Sequence, residues 1–173
     1  MPTPRRSKLA SVAVLAAGLT LLAASPDLAL AGKKADAAKH TADLKAGDAK
    51  TKVYALGELG KLGQIQKSLV QDAAPLMEAA LADKDATVRA AAAAAVGMID
   101  PDPKVMVPKL LKLMKDDKDE AVRLAAIRGL GLMGTAADPA AKDLRQVMTD
   151  NDKKTKEYRA AKTALDSIKP KKK

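Results

Sequence analysis

Side chains able to act as nucleophiles or bases are scarce in this 173-residue chain. It has one histidine, His40, and no cysteine, and beyond residue 31 its serines are Ser68 and Ser167. Covalent catalysis by a side chain needs a hydroxyl or thiol beside a base such as histidine. His40 stands in the polar segment Lys39-His40-Thr41, so we expect it to be solvated. The sequence therefore predicts no catalytic residue, no cofactor and no enzymatic activity.

Pairs of aspartates two residues apart resemble calcium loops, in which alternating carboxylates ligate the cation. The pairs are Asp83/Asp85, Asp100/Asp102, Asp117/Asp119 and Asp150/Asp152. None is followed by the glycine and distal glutamate of such a loop. Each pair stands instead where the start of a helix needs an acceptor for its free amide groups. We therefore predict helix caps at these positions and no metal site.

The segments that position these side chains repeat along the chain. Residues 83–99 and 117–133 correspond at an offset of 34 residues, and weaker copies run through 48–62 and 152–168. A period of about 20 to 50 residues is typical of a solenoid, in which each unit buries its apolar stripe against its neighbours. The sequence thus predicts about four stacked units.

Within each unit the pattern indicates two helices joined by a tight turn. Aspartates shortly before a proline, Asp72, Asp102 and Asp138, predict the starts of first helices. On the second helices, apolar residues at i, i+4, i+8 and i+11 predict one buried stripe. Its members are Val88, Ala92, Val96 and Ile99, and in the next unit Val122, Ala126, Leu130 and Met133. A further apolar column that should contact the next unit contains Leu56, Ala93 and Ile127.

At the start of three second helices, a cation follows an aspartate by four residues. The pairs are Asp48 with Lys52, Asp85 with Arg89, and Asp119 with Arg123. Side chains at this spacing share one face of a helix, so we expect an ion pair within each helix. We interpret the set as a structural ladder and not as a site for an anionic ligand.

Two stretches of the second helices carry a recognisable pattern. They are Val88-Arg89 with Ala92-Ala93 and Ala95-Val96-Gly97, and Val122-Arg123 through Gly131. The pattern resembles the second helix of HEAT repeats, particularly the bacterial form of phycobilisome-linked lyases. The resemblance runs from about Leu44 to Ile168 and implies an all-α, right-handed α-solenoid of about four helical hairpins. It also implies that second helices line the concave face and bind proteins, with no implied activity.

The N-terminal segment has the order of a secretory leader. Arg5, Arg6 and Lys8 precede an uncharged run over 9–24, and Ala29-Leu30-Ala31 fits a cleavage site. The run is shorter than the about 20 residues of a membrane span. We predict a signal peptide over 1–31, a HEAT-like repeat domain over 32–169 and a basic disordered tail over 170–173. The protein is then periplasmic or secreted, by the general or the twin-arginine route.

Opposite the buried stripe, five residues define a surface that we call the concave strip. They are Tyr54, Lys61, Met98, Arg128 and Leu132. Apolar residues recur here where polar ones would be tolerated, which favours the binding of a helix or extended segment of a partner protein. The alternative is that tight curvature buries Met98 and Leu132 against adjacent units.

Net charge leaves two further functions open. The chain carries a formal charge of +10, which favours attraction to an anionic envelope polymer or membrane surface. An accessory factor that positions a small ligand in the concave groove is the other alternative. Nucleic acid is not expected as a partner, because export separates the chain from the genome and no aromatic residues are interleaved with basic ones for base stacking. The identity of the partner and the oligomeric state stay open.

Overall fold

The structure is a computed structural model that describes residues 26–99 and 102–169. These ranges contain α-helices and short 3₁₀ helices and no β-strand, which confirms the all-α prediction. The α-helices are α1 (Pro26–Ala46), α2 (Ala49–Ile65), α3 (Ala74–Ala79), α4 (Ala86–Met98), α5 (Pro103–Asp116), α6 (Glu120–Leu132), α7 (Ala141–Asp150) and α8 (Lys156–Ile168). The 3₁₀ helices are Lys67–Leu69, Ala80–Ala82 and Gly134–Ala140. Within the described ranges, no helix combines the length and the apolar character needed to cross a bilayer.

The helices form four hairpins that succeed one another along the chain. Each odd-numbered helix packs on the even-numbered helix that follows it. The even-numbered, second helices also pack in a row, α2 on α4, α4 on α6 and α6 on α8. Contacts among the odd-numbered helices are much sparser. The predicted α-solenoid of four helical hairpins is confirmed, with its tightest packing in the layer of second helices.

Aspartates begin the first three second helices, as the repeat predicts. The carboxylates of Asp48, Asp85 and Asp119 accept backbone N–H groups from the first turn of α2, α4 and α6, each at 2.8 Å. At α8 the Thr155 hydroxyl takes this place and accepts the Tyr158 N–H at 3.2 Å. These bonds satisfy amide groups that a helix start leaves without a partner.

Two of the three predicted caps of first helices are wrong. Asp102 does accept the Lys104 N–H at the start of α5, at 2.9 Å. Asp72 and Asp138, in contrast, cap no helix, because a turn over 71–73 leads into α3 and the 3₁₀ helix Gly134–Ala140 leads into α7. At α3 the Val70 carbonyl already accepts the N–H groups of the two residues that follow Asp72. Backbone carbonyls thus occupy the role that the sequence assigned to a carboxylate.

Both apolar columns of the second helices are buried as predicted. Val88 and Val96 on α4, and Val122 and Leu130 on α6, are almost completely enclosed. Leu56 and Ile127, from the column that faces the next unit, are equally inaccessible. The described chain therefore has one continuous core along the solenoid.

Glycines allow the second helices to approach at backbone distance. A Cβ atom added to Gly97 on α4 would lie 2.5 Å from the Gly129 carbonyl oxygen on α6, and one added to Gly129 would lie 2.4 Å from the Ala93 oxygen. Between α6 and α8, a Cβ on Gly131 would lie 2.9 Å from Cα of Ala164. This approach explains why alanine and glycine dominate the layer.

The predicted domain boundaries extend beyond the described residues. Residues 1–25 of the predicted signal peptide and all of the predicted tail, 170–173, lie outside them. Residues 26–31 form the first turns of α1, with Leu28 exposed and Leu30 partly buried against the core. Helix α1 therefore begins before the predicted cleavage site.

Candidate functional site

The concave strip is largely accessible to solvent. Tyr54 on α2 is 61% exposed and Leu132 on α6 is 50% exposed, while Lys61 and Arg128 are also exposed. Met98 on α4 is half-buried, and its sulfur lies 3.0 Å from where a Cβ of Gly60 would be. The strip therefore offers one apolar side chain near each end and a partly covered methionine between them. Its use in binding stays a prediction.

Charge is distributed unevenly along the concave strip. At its α2 end, Lys61 Nζ lies 2.7 Å from Glu58 Oε1, and this hydrogen bond lowers the pKa of Glu58 and raises that of Lys61. At its α6 end, Arg128 forms no hydrogen bond or ion pair with any described residue. Unpaired positive charge on the strip is therefore concentrated at the α6 end.

An open groove lies between α6 and α8 and continues the concave strip. It has a volume of about 560 Å³ and is lined by Arg128 and Leu132 from α6 and by Lys156, Arg159, Thr163 and Ser167 from α8. We call it the α6–α8 groove. Sequence reasoning missed its α8 wall, although Thr163 and Ser167 lie 35 residues after Arg128 and Leu132, one residue more than the repeat offset of 34. At this spacing Lys156 and Arg159 correspond to Ala121 and Leu124, so the repeat gives no signal for these two cations.

The ladder of charged residues connects adjacent units and not residues within one helix. Lys52 Nζ lies 2.8 Å from Asp83 Oδ2 in the next unit. Arg89 holds both carboxylate oxygens of Asp117, with Nε–Oδ2 of 2.7 Å and Nη2–Oδ1 of 2.9 Å. The predicted pairs Asp48–Lys52 and Asp85–Arg89 are therefore wrong. The physical reason is that the capping carboxylates are engaged with backbone amides of their own helices.

The Arg89–Asp117 pair is nearly enclosed, with side chains 11% and 6% exposed. Hydrogen bonding to Arg89 lowers the pKa of Asp117, and the same bond raises the pKa of Arg89. The pKa of Asp83 is also lowered, first by the Asp85 N–H and then by Lys52. These carboxylates are ionised partners in a structural contact, and their lowered pKa values do not indicate general acids.

The third step of the ladder lacks its carboxylate. Arg123 donates to the backbone oxygens of Asp117 at 3.0 Å and Lys118 at 3.3 Å, much as Arg89 does one unit earlier. The residue 34 positions after Asp117 is Asn151, whose side-chain amide donates to the Val147 oxygen at 2.8 Å. The nearest carboxylate pairing of Arg123 is with Glu157, at 3.9 Å. The predicted Asp119–Arg123 pair is wrong as well.

His40 is buried, contrary to the expectation of a solvated side chain. It is 8% exposed and lies edge-on to the Tyr54 ring, with ring centroids 5.6 Å apart. Residues 37, 40 and 44 share one face of α1, and this face packs on α2. Its Nδ1 atom has no hydrogen-bond partner and lies 3.6 Å from Asp43 Oδ2. The local polar sequence hid this burial, which places His40 beneath the α2 end of the strip.

The predicted caps at the aspartate pairs are found only in part. The pair Asp150/Asp152 caps no helix, because the Thr155 hydroxyl caps α8 and Asp150 accepts a hydrogen bond from the Gln146 side chain. Over residues 26–99 and 102–169, no group of three or more His, Cys, Asp or Glu side chains is placed to hold a metal ion. Of the four aspartate pairs, Asp100 lies outside the described residues. In the pairs Asp83/Asp85 and Asp117/Asp119, the first carboxylate accepts the N–H of the second at 3.0 Å.

Comparison with protein families gives one match. The family described as HEAT repeats matches residues 73–166, more than half of the chain. The match is to the repeat family as a whole and does not distinguish the phycobilisome-lyase form. None of the curated proteins compared with the chain matches it. The matched range covers the last three hairpins, and α2 continues their packing by lying on α4 as α4 lies on α6.

Proposed function

Because the chain belongs to the HEAT repeat family, we propose that it is a non-catalytic scaffold that binds another protein through the concave strip. Solenoids of this kind offer extended concave surfaces to partner proteins. The proposal includes export, to the periplasm or the medium, supported by the leader pattern of residues 1–31.

One observation carries the proposal: large apolar side chains are exposed along the second helices. Tyr54 and Leu132 on the concave strip are both at least half exposed, and Ile65 on α2 is 59% exposed. Residues 54, 61 and 65 share one face of α2 by helical spacing. Folding alone would favour polar side chains at such positions, whereas a partner surface favours apolar ones.

The absence of cysteine from the sequence allows a site-specific test. A single cysteine at Leu132→Cys carries a photoactivatable cross-linker on the concave strip. The matched control is Val105→Cys on α5, because Val105 is also an exposed apolar residue, at 42%, but lies on a first helix. After irradiation in an extract of the producing organism, we expect a discrete cross-linked protein from position 132 only. Equal labelling from both positions would contradict binding through the strip.

A second variant separates loss of binding from loss of folding. Leu132→Glu places a charge on the exposed apolar position and should abolish cross-linking from a cysteine at Tyr54, since both residues contact the same partner. Thermal unfolding of the variant should match that of the wild type, because Leu132 lies half in solvent. Retained cross-linking with unchanged stability would remove the strip as the binding surface.

Export has its own test. The N-terminal residue of the protein recovered outside the cytoplasm should be Gly32, and cleavage there would remove the first turns of α1. Recovery of the chain only in the cytoplasm, with residue 1 retained, would contradict export and leave the scaffold proposal intact.

A further inference from the structure

In the α6–α8 groove, positively charged residues border an apolar floor. Cations Arg128, Lys156 and Arg159 line it, and no carboxylate is among its lining residues in the described part of the chain. Gly131 and Ala164 meet at its base, where the two helices approach at backbone distance. The groove therefore combines a smooth apolar floor with basic edges.

Two of the three cations are free to bind a ligand's carboxylates. Arg128 has no partner among the described residues. Arg159 donates from Nε to the Thr155 backbone oxygen at 3.3 Å, and no described carboxylate pairs with it. Lys156 is only loosely held, with its Nζ 3.5 Å from Glu120 Oε1 and both side chains largely exposed. By contrast, Arg89 and Lys52 in the ladder are already neutralised.

The hydroxyl groups on the α8 wall already donate their protons within α8, which leaves the guanidinium groups as the principal hydrogen-bond donors to a ligand. The Thr163 hydroxyl donates to the Arg159 oxygen at 3.0 Å, and the Ser167 hydroxyl donates to the Thr163 oxygen at 3.1 Å. Their protons are therefore committed within α8. Guanidinium groups bind carboxylates through two parallel N–H bonds, which suits an acidic peptide side chain.

We propose that the α6–α8 groove binds an acidic segment of the partner protein, with carboxylates on Arg128 and Arg159 and an apolar side chain against Leu132. We infer an acidic ligand from charge complementarity, since all the charged residues that line the groove are cations. The half-exposed Leu132 and the Gly131–Ala164 floor favour a peptide with apolar residues over a uniformly charged polymer. This inference rests on the proposed scaffold function and specifies the chemistry of its partner.

The test uses the full repeat domain and peptides of defined composition. A fluorescein-labelled peptide of alternating glutamate and leucine should bind in an anisotropy titration at physiological ionic strength. The same peptide with glutamine for glutamate, polyglutamate, inorganic phosphate and vesicles of phosphatidylglycerol serve as comparison probes. The proposal expects the glutamate–leucine peptide to bind at least about tenfold more tightly than any of these.

Charge reversal locates the site. Arg128→Glu and Arg159→Glu should each weaken binding of the peptide at least about tenfold, because each replaces a cation by a repelling charge. The control is Lys142→Glu, which changes net charge equally at an exposed residue of α7 and should leave affinity unchanged. Equal weakening by Lys142→Glu, or equal binding of polyglutamate, phosphate or vesicles, would overturn the proposal.

The outcome is separable from that of the scaffold proposal. Failure of the acidic peptide to bind, while position 132 still cross-links a protein, would overturn the acidic-segment inference alone. Failure of both would remove the concave strip as a binding surface. Unfolding curves of both arginine variants should superimpose on that of the wild type, since Arg128 and Arg159 are exposed.

Discussion

The interface between α4 and α6 and the interface between α6 and α8 are built from corresponding residues. They differ in how closely the helices approach and in how the arginine at the start of the second helix is paired. In the first, Gly97 meets Gly129 backbone to backbone, and Arg89 grips both oxygens of Asp117. In the second, Gly131 meets Ala164 at a slightly greater separation, and Arg123 has no carboxylate closer than 3.9 Å. The groove with unpaired cations opens beside this second interface.

One repeat pattern thus encodes both a closely bonded interface and an interface with an accessible groove. Asn151 stands where the repeat places an aspartate, so Arg123 has no bidentate carboxylate partner in unit four. The charged contacts that remain between units three and four include Arg123–Glu157 and Lys156–Glu120, at 3.9 and 3.5 Å. Departures from the repeat in the last unit also bring Lys156 and Arg159 to the groove. The missing ladder contact and the groove therefore belong to the same interface, although Arg123 and Asn151 do not line the groove.

The largest expected effect comes from adding a methyl group at the central interface. Gly97→Ala should lower the free energy of unfolding by about 3 kcal/mol, since its Cβ meets the rigid backbone of Gly129. Gly131→Ala should cost less, because its nearest contact is longer. Gly57→Ala is the control: no atom lies within 4 Å of its Cβ, so helix propensity should raise stability by up to about 1 kcal/mol. Urea unfolding of the three variants measures this order, and equal losses at 97 and 131 would contradict the comparison.

Next in size is the removal of the bidentate ladder contact. Arg89→Gln should cost about 2 kcal/mol, because it leaves Asp117 enclosed without its cation. Arg123→Gln, which loses the same kind of backbone bonds but no close carboxylate, should cost clearly less. Chemical denaturation of both variants gives the difference directly. A loss at Arg123 as large as that at Arg89 would show that the carboxylate contributes little.

Acid should weaken the central interface through Asp117. Its folded-state pKa lies below the ordinary value of 3.8, because Arg89 donates hydrogen bonds to it. The stability it contributes is therefore complete above that ordinary value and is lost as pH falls through the lowered folded-state pKa. Unfolding free energies measured from neutral pH down to about pH 3 should fall more steeply for the wild type than for Asp117→Asn. Parallel curves would mean that Asp117 is not the titrating contact.

The smallest expected effect is a gain at the terminal interface. Asn151→Asp restores the ladder carboxylate opposite Arg123 and should stabilise the fold by about 0.5 kcal/mol. In the background of Arg123→Gln the gain should disappear, as a double-mutant cycle would show. A gain that persists there would come from some other contact.

The repeat and its apolar spacing were sufficient to predict the hairpins and their buried columns. This is because a helix returns to the same face about every 3.6 residues, so burial can be deduced from local order alone. Caps at Asp48, Asp85 and Asp119 were predictable for the same reason, since a cap involves residues within one turn. The exposure of Leu132 agrees with its predicted place opposite the stripe.

The features that the sequence did not predict depend on how the helices pack on one another. Both Asp85 and Asp117 are suitable partners for Arg89, and only the stacking of α4 on α6 selects the more distant one. His40 looked solvated because its neighbours are polar, yet the packing of α1 on α2 encloses it. The α6–α8 groove depends on where a diverged fourth unit places Arg159, which no internal alignment fixes.

The linear succession of hairpins has a consequence for how the protein comes apart. In the described ranges, the main packing of each hairpin is with the hairpin before it and the one after it. Loss of α7 and α8 therefore exposes one face of α6 while the remaining interfaces persist, and unfolding is expected to begin as fraying from the ends. Amide hydrogens in α4 and α6 should then be the last to exchange with solvent. The C-terminal hairpin could then change its position when a partner protein binds.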